Sequence, residues 1–340
     1  LGAGVKLGLQ QRGGKPAAVR LVKCAHHRPA KFTFQVQHDH HQKLRADSFL
    51  SWNMANILIA GCGYIGTALG SLLAAEGNTV WGLRRRPATL PPDIRPCAAD
   101  LTSPGTLCAL PPVIDYIFYT AAPDAHDDAA YRAVYVEGLN NLLHALIRQR
   151  QHPRRLFLTS STGVYAQTSG EWVDEAAPAE PTEFAGIRLR EGERLLLEGP
   201  FPATVLRLGG LYGPDRAGLI EKVRRGEVVG GGESPVYFNR IHRDDAAGAL
   251  RHLMMLQQPD SLYLGVDDEP TELIVVLRWL AGSLGVPPPW QVESSPLRMP
   301  RHGSNKRCRN DRLTASGYAF RYPTFREGYA ALLTEQAGAC

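Results

Sequence analysis

The sequence predicts a doubly wound α/β fold, a parallel sheet covered by helices on both faces, followed by a smaller C-terminal α/β part. Three observations carry this expectation. The apolar run Asn56 to Ala60 leads straight into Gly61, Gly63 and Gly66, spaced as G-x-G-x-x-G, and a small-residue helical stretch, Thr67 to Ala75, follows. Strand-like and helix-like segments then alternate, which calls for helical crossovers between parallel strands. The chain has 340 residues, 44% hydrophobic and 21% charged, so it has the length and composition to bury such a core.

Each element can be justified in turn. In a strand–turn–helix unit that holds a dinucleotide, Gly61 permits the tight turn and Gly63 lets the backbone approach a pyrophosphate. Gly66 lets the helix sit close to the strand. The helix N-terminus turns unpaired N–H groups and a positive dipole end toward the phosphates, with Tyr64 and Ile65, just before the helical stretch, expected against the cofactor. Thr79 to Leu83 is the second strand, and Arg84-Arg85-Arg86 stand at its end, where an acidic residue would accept a hydrogen bond from the adenosine ribose of NAD. A guanidinium fork matches a 2′-phosphate instead, so the expected cofactor is NADP, with NAD and a solvated arginine run as the alternatives. Pro96 to Leu101 reads as the third strand; Asp100 stands at its end, suited to adenine or to capping a turn, with Leu101 beside it. Val113 to Thr120 is the fourth strand, and the small Ala121 and Ala122 after it leave room for a cofactor. Ala129 to Arg150 carries Val134, Leu139, Leu142, Leu143 and Leu146 at helical spacing. Arg155 to Thr159 is the fifth strand, followed by Ser160, Ser161 and Thr162. Thr204 to Leu208 is the sixth, ending in a tight loop from Gly209 through Tyr212 to Pro214.

Charge and cysteine content exclude other classes. The formal net charge of +5 comes from residues 1–53, which hold nine Lys/Arg against two Asp; the remainder holds 29 basic and 31 acidic residues. A near-neutral globular part gives no footprint for nucleic acid. No run approaches the roughly 18 apolar residues of a membrane span. The six cysteines form no C-x-x-C and no metal-like cluster, which points to free thiols in a reducing, cytoplasmic setting. No metal site is expected. Residues 1–53 read as a basic extension outside the fold, with Met54 as the expected start of the folded part and a transit peptide as the alternative.

Taken together, Gly61-x-Gly-x-x-Gly66, Tyr119-Thr-Ala-Ala122, Leu158-Thr-Ser-Ser-Thr-Gly-Val-Tyr165, Leu206-Arg-Leu-Gly-Gly-Leu-Tyr-Gly-Pro214 and Asn239-Arg-Ile-His-Arg-Asp-Asp245 resemble the extended short-chain dehydrogenases, the NAD-dependent epimerase/dehydratase type. The resemblance implies a Rossmann domain over 54–215 and a substrate-binding part over 216–340, with the last strand and helices returning to the core. It implies a catalytic Ser161, with Thr162 beside it, and a Tyr-x-x-x-Lys pair for proton transfer on the following helix. Aligned on Gly186 and Glu193, those two positions hold Ala185 and Leu189, neither of which transfers a proton. This loss resembles the atypical members of the superfamily. Tyr212 is expected to face substrate, as are Lys306 and Arg307 within the basic stretch Arg298 to Arg312, which suits an anionic small molecule. Tyr165, Glu175 and His242 are further candidate bases, His242 more readily a packed structural residue. A homodimer through the helices flanking the fourth and fifth strands is a further expectation of the resemblance.

Overall fold

The computed structural model describes residues 54–227, 235–287 and 305–338. The basic segment 1–53 and Arg298, Arg301 and His302 lie outside the described residues. The strands are β1 (Asn56–Ala60), β2 (Thr79–Arg84), β3 (Arg95–Ala98), β4 (Tyr116–Tyr119), β5 (Arg155–Ser161), β6 (Glu171–Val173), β7 (Ala203–Leu208), β8 (Gly210–Tyr212), β9 (Tyr237–Phe238), β10 (Arg240–His242), β11 (Leu262–Gly265), β12 (Thr271–Glu272) and β13 (Lys306–Cys308). Seven of them form one parallel sheet in the order β11-β7-β5-β4-β1-β2-β3. The chain runs outward from β1 to β3, then crosses back to β4 on the other side of β1. That reversal opens a crevice at the carboxyl ends of β1 and β4, the place where doubly wound sheets bind ligands.

The helices are α1 (Tyr64–Ala75), α2 (Asp128–Arg132), α3 (Leu139–Arg148), α4 (Phe184–Leu197), α5 (Gly218–Arg224), α6 (Arg243–Met255), α7 (Leu273–Leu284), α8 (Asp311–Ala315) and α9 (Phe325–Gly338). Alternation along β1 divides the core between two faces. Ile57 and Ile59 join Leu69 and Leu73 of α1 and Ala246, Leu250 and Leu253 of α6. Leu58 and Ala60 join Leu139, Leu142 and Leu146 of α3 and Leu196 of α4. Each fully buried leucine contributes about 1.5–3 kcal/mol. A further core gathers Ile220, Val223, Val276, Leu277, Leu280, Phe325 and Tyr329 from the C-terminal helices.

The helix expected over Ala129–Arg150 is interrupted. Six residues, Ala133–Gly138, form a π segment between α2 and α3. The Tyr119 hydroxyl donates to the Val134 carbonyl at 2.6 Å, and a Cβ on Gly138 would stand 2.9 Å from that hydroxyl oxygen. A tyrosine hydroxyl thus enters the helical ladder where only glycine leaves it room. Three two-stranded pairs, β6 with β13, β8 with β10 and β9 with β12, had no counterpart in the hydrophobic pattern. Strands of two or three residues are too short to show a period.

His242 caps α6, its Nδ1 accepting from the Asp244 amide at 3.2 Å. Asp245 is buried and accepts from the Tyr318 hydroxyl and from the Arg321 and Tyr322 amides at 2.9, 2.7 and 2.9 Å.

Candidate cofactor and active-site cavity

A cavity of about 1220 Å³ lies along the carboxyl ends of the central strands. At one end is the glycine loop. Gly61 has φ +84°, and a Cβ there would stand 2.3 Å from the Ala121 Cα, so both the turn and the neighbouring strand require glycine. The Gly61 and Cys62 amides donate to the Leu83 carbonyl at 3.0 Å each, and Thr120 Oγ1 donates to the Gly61 carbonyl at 2.9 Å. The loop is therefore fixed to β2 and β4. Gly66 is the packing glycine: a Cβ would stand 2.7 Å from Thr120 Oγ1 and 2.8 Å from Ile59 Cγ2. Gly63 differs, since the nearest atom to its Cβ position is 3.9 Å away. No side chain caps α1 and no acidic residue sits in its first turn. The Gly63 cradle and the open helix end fit a pyrophosphate.

Gly61, Gly63, Tyr64, Ile65, Arg84, Arg85, Asp100, Leu101, Ala121, Ala122, Ser160, Ser161, Thr162, Gly209 and Lys306 all line this cavity. Several have further tasks. The Tyr64 hydroxyl donates to the Pro214 carbonyl at 2.7 Å and its ring lies under the Arg216 guanidinium. Arg85 pairs with Asp124 at 2.7 Å, an exposed bridge that leaves Arg84 and Arg86 as the other cavity-lining cations of the run. Asp100 folds back on its own turn, accepting from the Thr102 amide and hydroxyl at 2.9 and 2.8 Å.

At the other end lie Ser161, Thr162, Ala185, Leu189, Tyr131, Tyr135, Tyr165 and Lys306. Ser161 Oγ accepts from the Gly163 amide at 3.0 Å, which orients the oxygen and leaves its own hydrogen to donate. Ser160 has no such freedom: its hydroxyl donates to Glu193 at 2.6 Å. Glu193 is the centre of a buried network. Arg207 grips it with two hydrogen bonds, at 2.9 and 2.7 Å, and Arg190 adds a third at 2.6 Å. Burial alone would push the Glu193 carboxyl up; the Arg207 fork, with Ser160 and Arg190, more than reverses this and holds it below the ordinary carboxylate range. The network ties β5, β7 and α4 together and so sets the wall that carries Ala185 and Leu189.

The other candidate bases are occupied. Arg207 donates to the Tyr165 hydroxyl at 2.8 Å, and that hydroxyl donates to the Asp174 carbonyl at 2.7 Å; burial pushes it up to about 12 against the pull of Arg207. Glu175 lies outside the cavity, accepting from the Leu264 amide at 2.9 Å. His242 is buried between the rings of Tyr212 and Tyr322, and burial pushes it down to about 4. It is a packed neutral side chain.

Two expected substrate contacts lie elsewhere. Tyr212 points into the C-terminal core against Tyr329, facing Gly328, where a Cβ would come 2.0 Å from its hydroxyl oxygen. Residue alternation along the short strand β8 turns it away from the cavity. Arg307 stacks between Trp172 and Tyr237, 4.8 Å from each ring, and donates to the Gly170 carbonyl at 2.7 Å. Its neighbour in β13, Lys306, faces the cavity, as strand alternation requires. Glu193 and Arg207 were missed, although an arginine inside the apolar strand Thr204-Val-Leu-Arg-Leu was a signal. Among the described residues no group of three or more His, Cys, Asp or Glu could hold a metal ion, and no helix is long and apolar enough to cross a membrane.

The fold is shared with solved structures. One of a putative NAD-dependent epimerase/dehydratase from Methylobacillus flagellatus is 35% identical, with a TM-score of 0.71 over 84% of this chain and 100% of that one. The Bordetella bronchiseptica enzyme WbmG, in complex with NAD and UDP, is 17% identical, with a TM-score of 0.70 over 84% and 96%. A UDP-glucose 4-epimerase from Thermotoga maritima, with UDP-glucose, is 20% identical, with a TM-score of 0.68 over 80% and 96%. The last two likenesses bear on the fold alone. No curated protein matches the sequence. The family model for the NAD dependent epimerase/dehydratase family matches residues 57–263. With the glycine loop, the switch-point crevice and this match in hand, the chain belongs to the NAD dependent epimerase/dehydratase family.

Proposed function

We propose that this protein is an NADP-dependent oxidoreductase of the epimerase/dehydratase type, acting on a small anionic or nucleotide-sugar-like molecule at Ser161. One observation carries the reading: the Gly63 cradle, the arginines Arg84 and Arg86 and the Ser161 hydroxyl line a single cavity. The bound nicotinamide cofactor would supply hydride chemistry. Gly61, Gly63 and the α1 amides would hold its pyrophosphate, Arg84 its 2′-phosphate, and Ala121 and Ala122 leave it space. Ser161 would donate to the substrate oxygen. Support for a sugar-nucleotide class comes from the names of similar structures, which include complexes with UDP and UDP-glucose. The four described cysteines, Cys62, Cys97, Cys108 and Cys308, carry free thiols, which suits a reducing cytoplasm. Ile147 of α3 and Leu197 of α4 are exposed apolar residues that a homodimer through those helices would cover.

The test is a fluorescence titration of the purified chain with NADPH and NADH. NADPH is expected to bind more tightly, and Arg84→Asp to reverse the order; equal affinities in the parent chain defeat the arginine assignment. A second reading, a cofactor-binding sensor or scaffold without turnover, is favoured by Ala185 and Leu189 on the cavity wall. It predicts tight NADPH binding with no carbonyl reduction by the parent chain.

A further inference from the structure

Among the described residues, the cavity has one lysine, Lys306, among its arginines. Beyond residue 53 the chain carries 27 arginines and two lysines, Lys222 and Lys306. Lys222 is exposed on α5. Lys306 is 4% exposed, lines the cavity with Ser161, Ala185 and Leu189, and donates from Nζ to the Tyr165 carbonyl at 3.2 Å. It is held there by backbone, not by chance of rotamer. β13 pairs in parallel with β6, Lys306 opposite Glu171, and Asn239 clamps both its sides, donating to the Lys306 carbonyl at 2.9 Å and accepting from the Cys308 amide at 2.6 Å.

A guanidinium holds its charge permanently, whereas an ammonium can release a proton when desolvated. This chain uses arginine for nearly every folded-region cation and lysine at the cavity position that is shielded from water. The phenols Tyr131 and Tyr135, which line the same cavity, are poorer candidates. Burial pushes Tyr131 and Tyr135 up, away from neutrality, while it pushes Lys306 down toward it.

We propose that Lys306 is the proton-transferring group of this cavity, serving the substrate oxygen that Ser161 orients. The inference rests on the oxidoreductase reading above. In the reducing direction the bound reduced cofactor would supply a hydride to the carbonyl carbon, and the oxygen takes a proton from the Lys306 ammonium at Nζ. The N–H bond breaks, an O–H bond forms, and the neutral amine regains a proton from water. The reverse direction runs the same transfers backwards. The proton donor thus comes from β13 and not from α4, where Leu189 lines the same cavity.

The experiment has two arms on the full chain. Competitive labelling with acetic anhydride from pH 6 to 11, read by peptide mass spectrometry, compares Lys306 with the exposed Lys222 in the same molecule. Lys306 is expected to reach half-reaction at the lower pH. Lys306→Arg and Lys306→Met are then assayed for NADPH binding and for reduction of a panel of aldehydes, ketones and keto-sugars. Both variants are expected to bind NADPH like the parent, and both to lose about 10²–10⁴-fold in turnover. The proposal is overturned if Lys306 titrates no lower than Lys222, if Lys306→Arg keeps the parent rate, or if the parent binds NADPH but reduces no carbonyl. Failure of the parent chain to bind NADPH would instead defeat the cofactor reading itself.

Discussion

The two ends of the cavity are built on different terms. At the glycine loop every requirement is a backbone requirement: a positive φ at Gly61, a 2.3 Å approach to Ala121, an open face at Gly63. These demands fall within a few consecutive residues. At the reactive end the demands fall on side chains brought from β5, α4 and β13, three elements far apart in sequence. The loop end can be changed only by moving main chain. The reactive end can be rewired by exchanging which element supplies a proton. A family can therefore keep its cofactor site while its chemistry shifts from one wall to another.

This contrast can be broken most severely at Glu193. Glu193→Gln leaves the buried Arg207 without its carboxylate and is expected to cost about 3–5 kcal/mol, read as a large fall in melting temperature. The pH dependence has a definite sign. The folded carboxyl is held below the ordinary range, so its stabilisation is present above the unfolded pKa and is lost as pH falls through the folded value. The parent should lose stability on acidification in that window, and the Gln variant should lose less. An unchanged melting temperature would show that the reactive wall does not depend on this hub.

Gly61→Ala is next. It meets both a left-handed backbone and main-chain atoms of Ala121, and is expected to cost about 3 kcal/mol along with NADPH binding. Asp267 gives a smaller effect of opposite sign. It is buried like Glu193, but no side chain grips it and the Glu269 amide nearby is too poorly placed to make a full hydrogen bond. Burial pushes it well above the usual range, against the weaker pull of the Glu269 amide and Arg240. The fold favours its neutral form, so its contribution is most favourable below the unfolded carboxylate pKa and worsens as pH rises above it. Asp267→Asn should stabilise the fold at pH 7 by about 1–2 kcal/mol, read as a higher melting temperature, and the gain should shrink toward pH 4. A loss of stability at pH 7 would mean that the charge is needed. Gly63→Ala is the mildest for the fold. Its Cβ meets nothing closer than 3.9 Å, so stability should hold while NADPH affinity drops; retained affinity would remove Gly63 from the pyrophosphate site.

The same division explains what the sequence disclosed. The glycine loop and the parallel strands were legible because each rests on a local period or a local turn, whereas Ser161, which lines the cavity, was marked only by the family resemblance. Tyr212 was misjudged because its loop lies beside the cavity in sequence, while the pleat of β8 sends the ring into the core against Gly328. Arg307 and Lys306 are adjacent and equally basic, and only the register of β13 on β6 turns one outward and one inward. The Glu193–Arg207 pair spans a helix and a strand, and no local pattern joins them beyond the anomaly of an arginine in an apolar strand.

Asp245 carries a consequence for how the protein is made. Its carboxylate is buried under α6, in the middle of the nucleotide-binding core, yet its three partners lie at Tyr318, Arg321 and Tyr322. During synthesis those partners emerge more than seventy residues later. Until they do, a buried Asp245 carboxyl has no hydrogen-bond partner for its burial. Closing α6 over it with those bonds in place therefore needs the C-terminal segment from Tyr318 to Tyr322.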